Sequence, residues 1–187
     1  MAENGGHHLA TRFVQMAAVV KAAIDCALFE IGHQCGEVLG LNMVQADYDN
    51  DGDLDVYVLR GGWFATDGVH PNSLIRNNGD GTFTDKISSY LKHTSFASMG
   101  NDIADFNNDG LADIFVLDML PEDNYRKKML IPAAGYDKFN LLLKKGYTPQ
   151  YTRNTLQLNN GIETTAKGNE TSFSDIAFLA GVSSTDW

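Results

Sequence analysis

The strongest constraint on this chain is that part of it occurs twice. Ala46-Asp47-Tyr48-Asp49-Asn50-Asp51-Gly52-Asp53-Leu54-Asp55-Val56-Tyr57-Val58-Leu59 matches Ala104-Asp105-Phe106-Asn107-Asn108-Asp109-Gly110-Leu111-Ala112-Asp113-Ile114-Phe115-Val116-Leu117. Downstream, Asn72-Ser73-Leu74 pairs with Asn154-Thr155-Leu156, and Asn77-Asn78-Gly79 with Asn159-Asn160-Gly161. Phe83-Thr84-Asp85 then pairs with Phe173-Ser174-Asp175. Matching blocks in one order are a repeat. A unit this short is a single supersecondary element that buries its apolar face only against a neighbour.

Within each unit, β-branched and aromatic runs alternate with Asp, Asn and Gly clusters, the pattern of short strands joined by turns. The first unit is expected to place strands at about 42–46, 55–59, 73–76 and 82–86. The second places them at about 99–104, 113–117, 155–158 and 172–176. A large insertion separates strands two and three of the second unit, from Asp118 to about Tyr151, and Asp137–Lys145 within it reads as a short helix. Gly181 to Trp187 reads as the opening of a third unit. From Leu9 to about Ile31 the chain is rich in Ala, Val and Leu without Gly or Pro, so a helix is expected there, with a narrow polar stripe that needs a partner surface. The expected division is therefore an N-terminal segment, 1–40, and a repeat region, 41–187, with units at about 41–87 and 97–177.

The chemistry lies in the Asp-rich loops. Asp47, Asp49, Asp51 and Asp55 occupy positions 1, 3, 5 and 9 of a nine-residue loop, with Gly52 at position 6. A tight loop turns alternate side chains inward, so the carboxylates converge. The glycine supplies the positive φ of the bend, and the backbone carbonyl of Asp53, at position 7, completes the shell. Several hard oxygen ligands on a flexible loop suit Ca²⁺ better than Mg²⁺, which keeps its waters in a strict octahedron. The second loop repeats the pattern as Asp105, Asn107, Asp109 and Asp113, with Gly110 at position 6 and Leu111 at position 7. It has one side-chain carboxylate fewer, so weaker binding is expected there. An EF-hand is excluded, because it requires Glu at position 12, where this chain has Val58 and Val116.

Net charge supports the same reading. The formal net charge is −10, and residues 41–118 hold thirteen acids against four bases. Nucleic acid is an unsuitable partner for such a surface, because its binding rests on Lys and Arg neutralising phosphates. Cys26 and Cys35 are too few for a disulfide scaffold. The apolar run Phe13–Ile31 is interrupted by Gln15, Lys21, Asp25 and Glu30. It is therefore read as neither a membrane span nor a signal peptide. His7, His8, His33, His70 and His93 are scattered and read as incidental. Trp63-Phe64 and Tyr147–Tyr151 read as packing aromatics, and Arg126-Lys127-Lys128 with Lys144-Lys145 as a solvated face.

The Gln45–Arg60 stretch, the turn from Asn77 to Phe83 and the Gly100–Leu117 stretch resemble FG-GAP/VCBS repeats, the blades of integrin-type β-propellers. The runs Asp118–Tyr125 and Ser184–Trp187 resemble one bacterial VCBS-repeat subfamily. The resemblance covers about residues 41–187; residues 1–40 do not match it. It implies a mainly β fold, a partial propeller of four-stranded blades with an N-terminal helix and a helical insertion. It also implies a Ca²⁺ in each loop, and binding or adhesion to a protein or glycan outside the cell without catalysis. The alternative is the propeller portion, catalytic or not, of a polysaccharide-active enzyme. An incomplete array would leave uncovered faces carrying residues such as Val56, Val58, Ile114 and Val116 or their sheet partners, so self-association through open blade edges is expected unless the Phe13–Ile31 segment covers one.

Overall fold

The computed structural model describes residues 42–60, 71–129, 135–165 and 168–185. The expected N-terminal helix, both cysteines, His7, His8, His33, His70, Trp63-Phe64 and the last two residues lie outside the described residues.

The elements in chain order are β1 (Asn42–Ala46), β2 (Asp55–Leu59), β3 (Ser73–Asn77), β4 (Phe83–Asp85), a one-turn helix α1 (Ile87–Tyr90), β5 (Thr94–Ser95), β6 (Gly100–Ala104) and β7 (Asp113–Leu117). The insertion contributes α2 (Asn124–Met129), α3 (Tyr136–Lys144) and β8 (Gln150–Tyr151), and β9 (Thr155–Thr165) and β10 (Gly168–Asp175) close the second unit. Two four-stranded sheets result, ordered β1-β2-β3-β4 and β10-β9-β7-β6, antiparallel throughout, while β5 and β8 form a small parallel pair. The β9–β10 hairpin runs well beyond its expected length. Its register shifts between Thr171 and Phe173, a bulge that lets the added turns of ladder continue past the repeat. Sequence reading stopped that strand at 158, because Asn159-Asn160-Gly161 looks like the tight turn that Asn77-Asn78-Gly79 forms in the first unit.

Strand alternation sorts the apolar residues of the first sheet to its two faces. Val56, Val58 and Ile75 are buried on one face with Phe83 against them. Tyr57, Leu59 and Leu74 point to the other and join Ile114, Val116 and Phe173 of the second sheet in the main core, together with Tyr48, Ile87, Tyr90 and Leu91. Ile114 and Val116 are the repeat counterparts of Val56 and Val58. Each unit thus has two unlike faces, and the first packs its Tyr57/Leu59 face on the opposite kind of face of the second. This contact is head-to-tail, which extends an array and never pairs a face with itself. Of the two alternatives expected for the uncovered faces, Val56, Val58, Ile114 and Val116 are all buried. The open face belongs to Phe106 and Leu117, 47% and 40% exposed, where their counterparts Tyr48 and Leu59 are sealed.

Polar contacts align the two sheets at their rims. Asn42 Nδ2 donates to Asn101 Oδ1 at 3.0 Å, and Lys86 Nζ lies 3.4 Å from Glu170 Oε1. In the insertion, Leu142 of α3 is buried with Phe96 and Ala97, and Tyr147 packs against them. Tyr151 touches the rings of His93 and Phe139. Both tyrosines therefore serve packing, while Arg126, Lys127, Lys128, Lys144 and Lys145 are exposed.

Candidate metal centre

Each Asp loop joins the first two strands of its sheet, between β1 and β2 or between β6 and β7. Both loops turn identically. Position 4 has positive φ at Asn50 (55°) and Asn108 (61°), and position 6 at Gly52 (93°) and Gly110 (89°). Asn at position 4 follows from this, since Asn enters the left-handed region at less cost than other side-chain-bearing residues. Position 1 closes the turn. Asp47 accepts from the Asp51 and Gly52 N–H groups at 3.1 and 3.0 Å, and Asp105 accepts from Asp109 and Gly110 at 3.0 and 2.8 Å. Position 5 accepts from position 7: Asp51 from the N–H of Asp53 and Asp109 from that of Leu111, each at 2.9 Å.

Position 9 has a second role that sequence reading missed. Asp55 Oδ2 accepts from Tyr48 N at 3.1 Å and Oδ1 from Asn77 N at 2.8 Å. Asp113 repeats this with Phe106 N at 2.9 Å and Asn159 N at 2.8 Å. Each of these carboxylates ties its loop to the third strand of its own sheet, and the recurring Asn-Asn-Gly block was the available signal. The turn that begins with this block also sits against position 7. A Cβ on Gly79 would lie 2.8 Å from Asp53 Oδ2, and one on Gly161 would lie 3.5 Å from Leu111 Cδ1.

In the first loop, Asp47, Asp49 and Asp55 each present an oxygen so that all three lie within 4.8 Å of one another. Asp51 stands outside that group. Asp49 is 8% exposed, and its Oδ1 is buried without a hydrogen-bond partner. Its Oδ2 lies 3.8 Å from Arg76 NH1. Burial, then the charges of Asp51 and Asp47, push the Asp49 carboxyl up, with Arg76 pulling against them. Burial pushes Asp55 up to about 7, despite its two backbone donors. Hard carboxylate oxygens that converge, are desolvated and include one unmatched acceptor fit a divalent cation of the calcium class.

The second loop is built alike but closes on itself. Asn107 Nδ2 donates to Asp109 Oδ2 at 2.7 Å, and Asn107 Oδ1 accepts from Asp109 N at 3.1 Å. Asp105, Asn107 and Asp109 are exposed, and Asn107 replaces the position-3 carboxylate.

One polar cluster lies away from the loops. His93 Nε2 is 2.8 Å from Asp175 Oδ2 and 2.9 Å from Arg153 NH2, while Arg153 NH1 is 2.7 Å from Asp175 Oδ2. Burial alone would raise Asp175, but the His93 contact, the Ala177 and Leu156 N–H groups and Arg153 hold it at about 2. The cluster belongs to the second unit alone, since the first has Pro71 at the position of Arg153, and it ties the connecting segment to β10.

Two antiparallel four-stranded sheets stacked head-to-tail, each with an Asp loop between its first two strands, define consecutive blades of a partial, unclosed β-propeller. Residues 47–116 match the FG-GAP-like repeat family, a stretch that starts at the first Asp of the first loop and ends in β7 beyond the second. Over that stretch the chain is similar to FG-GAP-like repeats. A search of the curated proteins found no match. Among the described residues no helix is long and apolar enough to cross a membrane.

Proposed function

We propose that this chain is a Ca²⁺-stabilised binding module that acts outside the cell, on a protein or glycan ligand, and carries out no catalysis. The observation behind the metal assignment is the convergence of Asp47, Asp49 and Asp55, with the buried Oδ1 of Asp49 lacking any partner. Bound there, Ca²⁺ supplies positive charge to carboxylates that otherwise repel one another, and it holds the loop in one conformation. The chain's own residues do the rest. Asp47 fixes the bend, Asp55 links it to β3, and the Asp51 carboxylate and Asp53 carbonyl, at positions 5 and 7, complete the shell. Asp105, Asn107, Asp109, Leu111 and Asp113 form a second, weaker site. Extracellular placement follows from its abundant Ca²⁺, which suits a loop of modest affinity.

The role of the metal in this reading is structural. Isothermal titration with Ca²⁺ on the wild type and on Asp49→Ala and Asp109→Ala tests it. Two sites are expected, with Asp49→Ala removing the tighter and Asp109→Ala the weaker. Heats unchanged by either substitution would remove the assignment.

A further inference from the structure

Asn159 belongs to β9 of the second sheet, yet it touches both Asp loops. Its Nδ2 donates to the Tyr48 carbonyl, at position 2 of the first loop, at 2.8 Å in a buried contact. The same amide donates to the Ala112 carbonyl, at position 8 of the second loop, at 3.2 Å. Its backbone N–H is the donor to Asp113 Oδ1 at 2.8 Å, and its Oδ1 accepts from Gly161 N at 2.9 Å. Tyr48 is in turn held by Asp55 through its N–H, and its ring is sealed in the core between the sheets. The buried chain of contacts is therefore Asp55, Tyr48, Asn159, Asp113: the position-9 carboxylate of one loop is joined to that of the other through one asparagine.

We propose that Asn159 couples the two loops, so that Ca²⁺ bound at the first raises the affinity of the second. This rests on the Ca²⁺ reading above. The like charges of Asp47, Asp49 and Asp55 work against the closed first loop in which the Tyr48 carbonyl meets the Asn159 amide. A cation there removes that opposition and strengthens the contact, and with it the placement of Asn159, whose N–H holds Asp113. The second loop needs this help. It has Asn107 where the first has Asp49, it is exposed, and it makes internal hydrogen bonds that a cation must displace. Ordering shared by two sites is carried once, by whichever ligand binds first, and the second binds more tightly for it. By linkage, the second loop raises the affinity of the first by the same factor. A coupling carried by about one buried hydrogen bond corresponds to roughly a two- to tenfold change in affinity.

The test is a thermodynamic cycle read by Ca²⁺ calorimetry on the full chain, with near-UV circular dichroism as the check of folding. Asp49→Ala, which removes the first site and leaves Asn159 intact, is expected to weaken the second site about two- to tenfold. In an Asn159→Ala background, the same substitution is expected to leave the second site unchanged. If Asn159→Ala does not fold, the Asp49→Ala arm decides alone. A second site with the same dissociation constant in wild type and Asp49→Ala overturns the coupling while leaving the Ca²⁺ reading intact. Absence of any Ca²⁺ heat in the wild type fails the Ca²⁺ reading itself.

Discussion

Leu59 and Leu117 occupy the same position in the two repeats, and the head-to-tail stack gives them different surroundings. Leu59 is fully buried in the core between the sheets, whereas Leu117 is 40% exposed. Truncation to Ala removes three carbons, worth about 0.8 kcal/mol each when wholly buried, or about 2.4 kcal/mol. At Leu59 a cavity adds to this, because the facing Ile114 and Val116 are fixed in their own sheet, so a loss of about 3–4 kcal/mol is expected. At Leu117, about six-tenths of the transfer term applies and solvent fills the gap, giving about 1–1.5 kcal/mol. For a chain of this length, the Leu59→Ala loss corresponds to a Tm lower by about 6–16 °C and the Leu117→Ala loss to about 2–6 °C. Urea unfolding of Leu59→Ala and Leu117→Ala, compared at a common m-value, measures both. Losses within about 0.5 kcal/mol of each other would refute the packing of the first unit's Tyr57/Leu59 face on the second unit.

Thermal melts with Ca²⁺ and with chelator should separate by about 5–11 °C when Ca²⁺ is at a hundred times its Kd, where it adds about 2.7 kcal/mol; superimposed curves would exclude a structural metal. Arg76→Leu, which installs the residue of the second repeat, Leu158, removes the cation 3.8 Å from Asp49 that competes with Ca²⁺. The pair is partly exposed, so a gain in first-site affinity of about two- to fivefold is expected by calorimetry, and a loss would contradict the competition. Burial pushes Asp118 up to about 6 although Met119 and Ala97 donate to it. Its native pKa exceeds the unfolded value near 3.9, so its contribution to stability is full below about pH 4 and is lost as pH rises through 6. Carboxyl NMR titration should give a midpoint near 6 for Asp118, and a midpoint below 4 would show the site to be solvated.

The elements closest to the repeat motif were the most legible. The bounds of β1, β2 and β7 follow from apolar alternation between Asp and Gly clusters, because those strands are short and each is flanked by its own loop. The helix of the insertion is shifted by one residue from its expected span, starting at Tyr136 in place of Asp137. The parallel pairing of Thr94–Ser95 with Gln150–Tyr151 gave no local signal, since it forms only when the insertion folds back on the linker between units. At the loops, residue type and spacing showed which side chains turn inward. They did not distinguish Asp49, which is desolvated, from Asn107, which faces solvent, because burial depends on packing that residue type and spacing do not carry. Nor did they show that Asp55 and Asp113 are clamped by backbone N–H groups 22 and 46 residues away. Such contacts depend on register between strands, and a motif does not encode register with a distant partner.

Whether the first Asp loop holds a divalent cation is read from anomalous diffraction by crystals grown with Ca²⁺. A peak is expected bounded by Asp47, Asp49 and Asp55, with carboxylate oxygens at about 2.3–2.6 Å from it and Asp49 Oδ1 among them. A folded loop at saturating Ca²⁺ with no peak there, or with Asp49 Oδ1 turned to another partner, would contradict it.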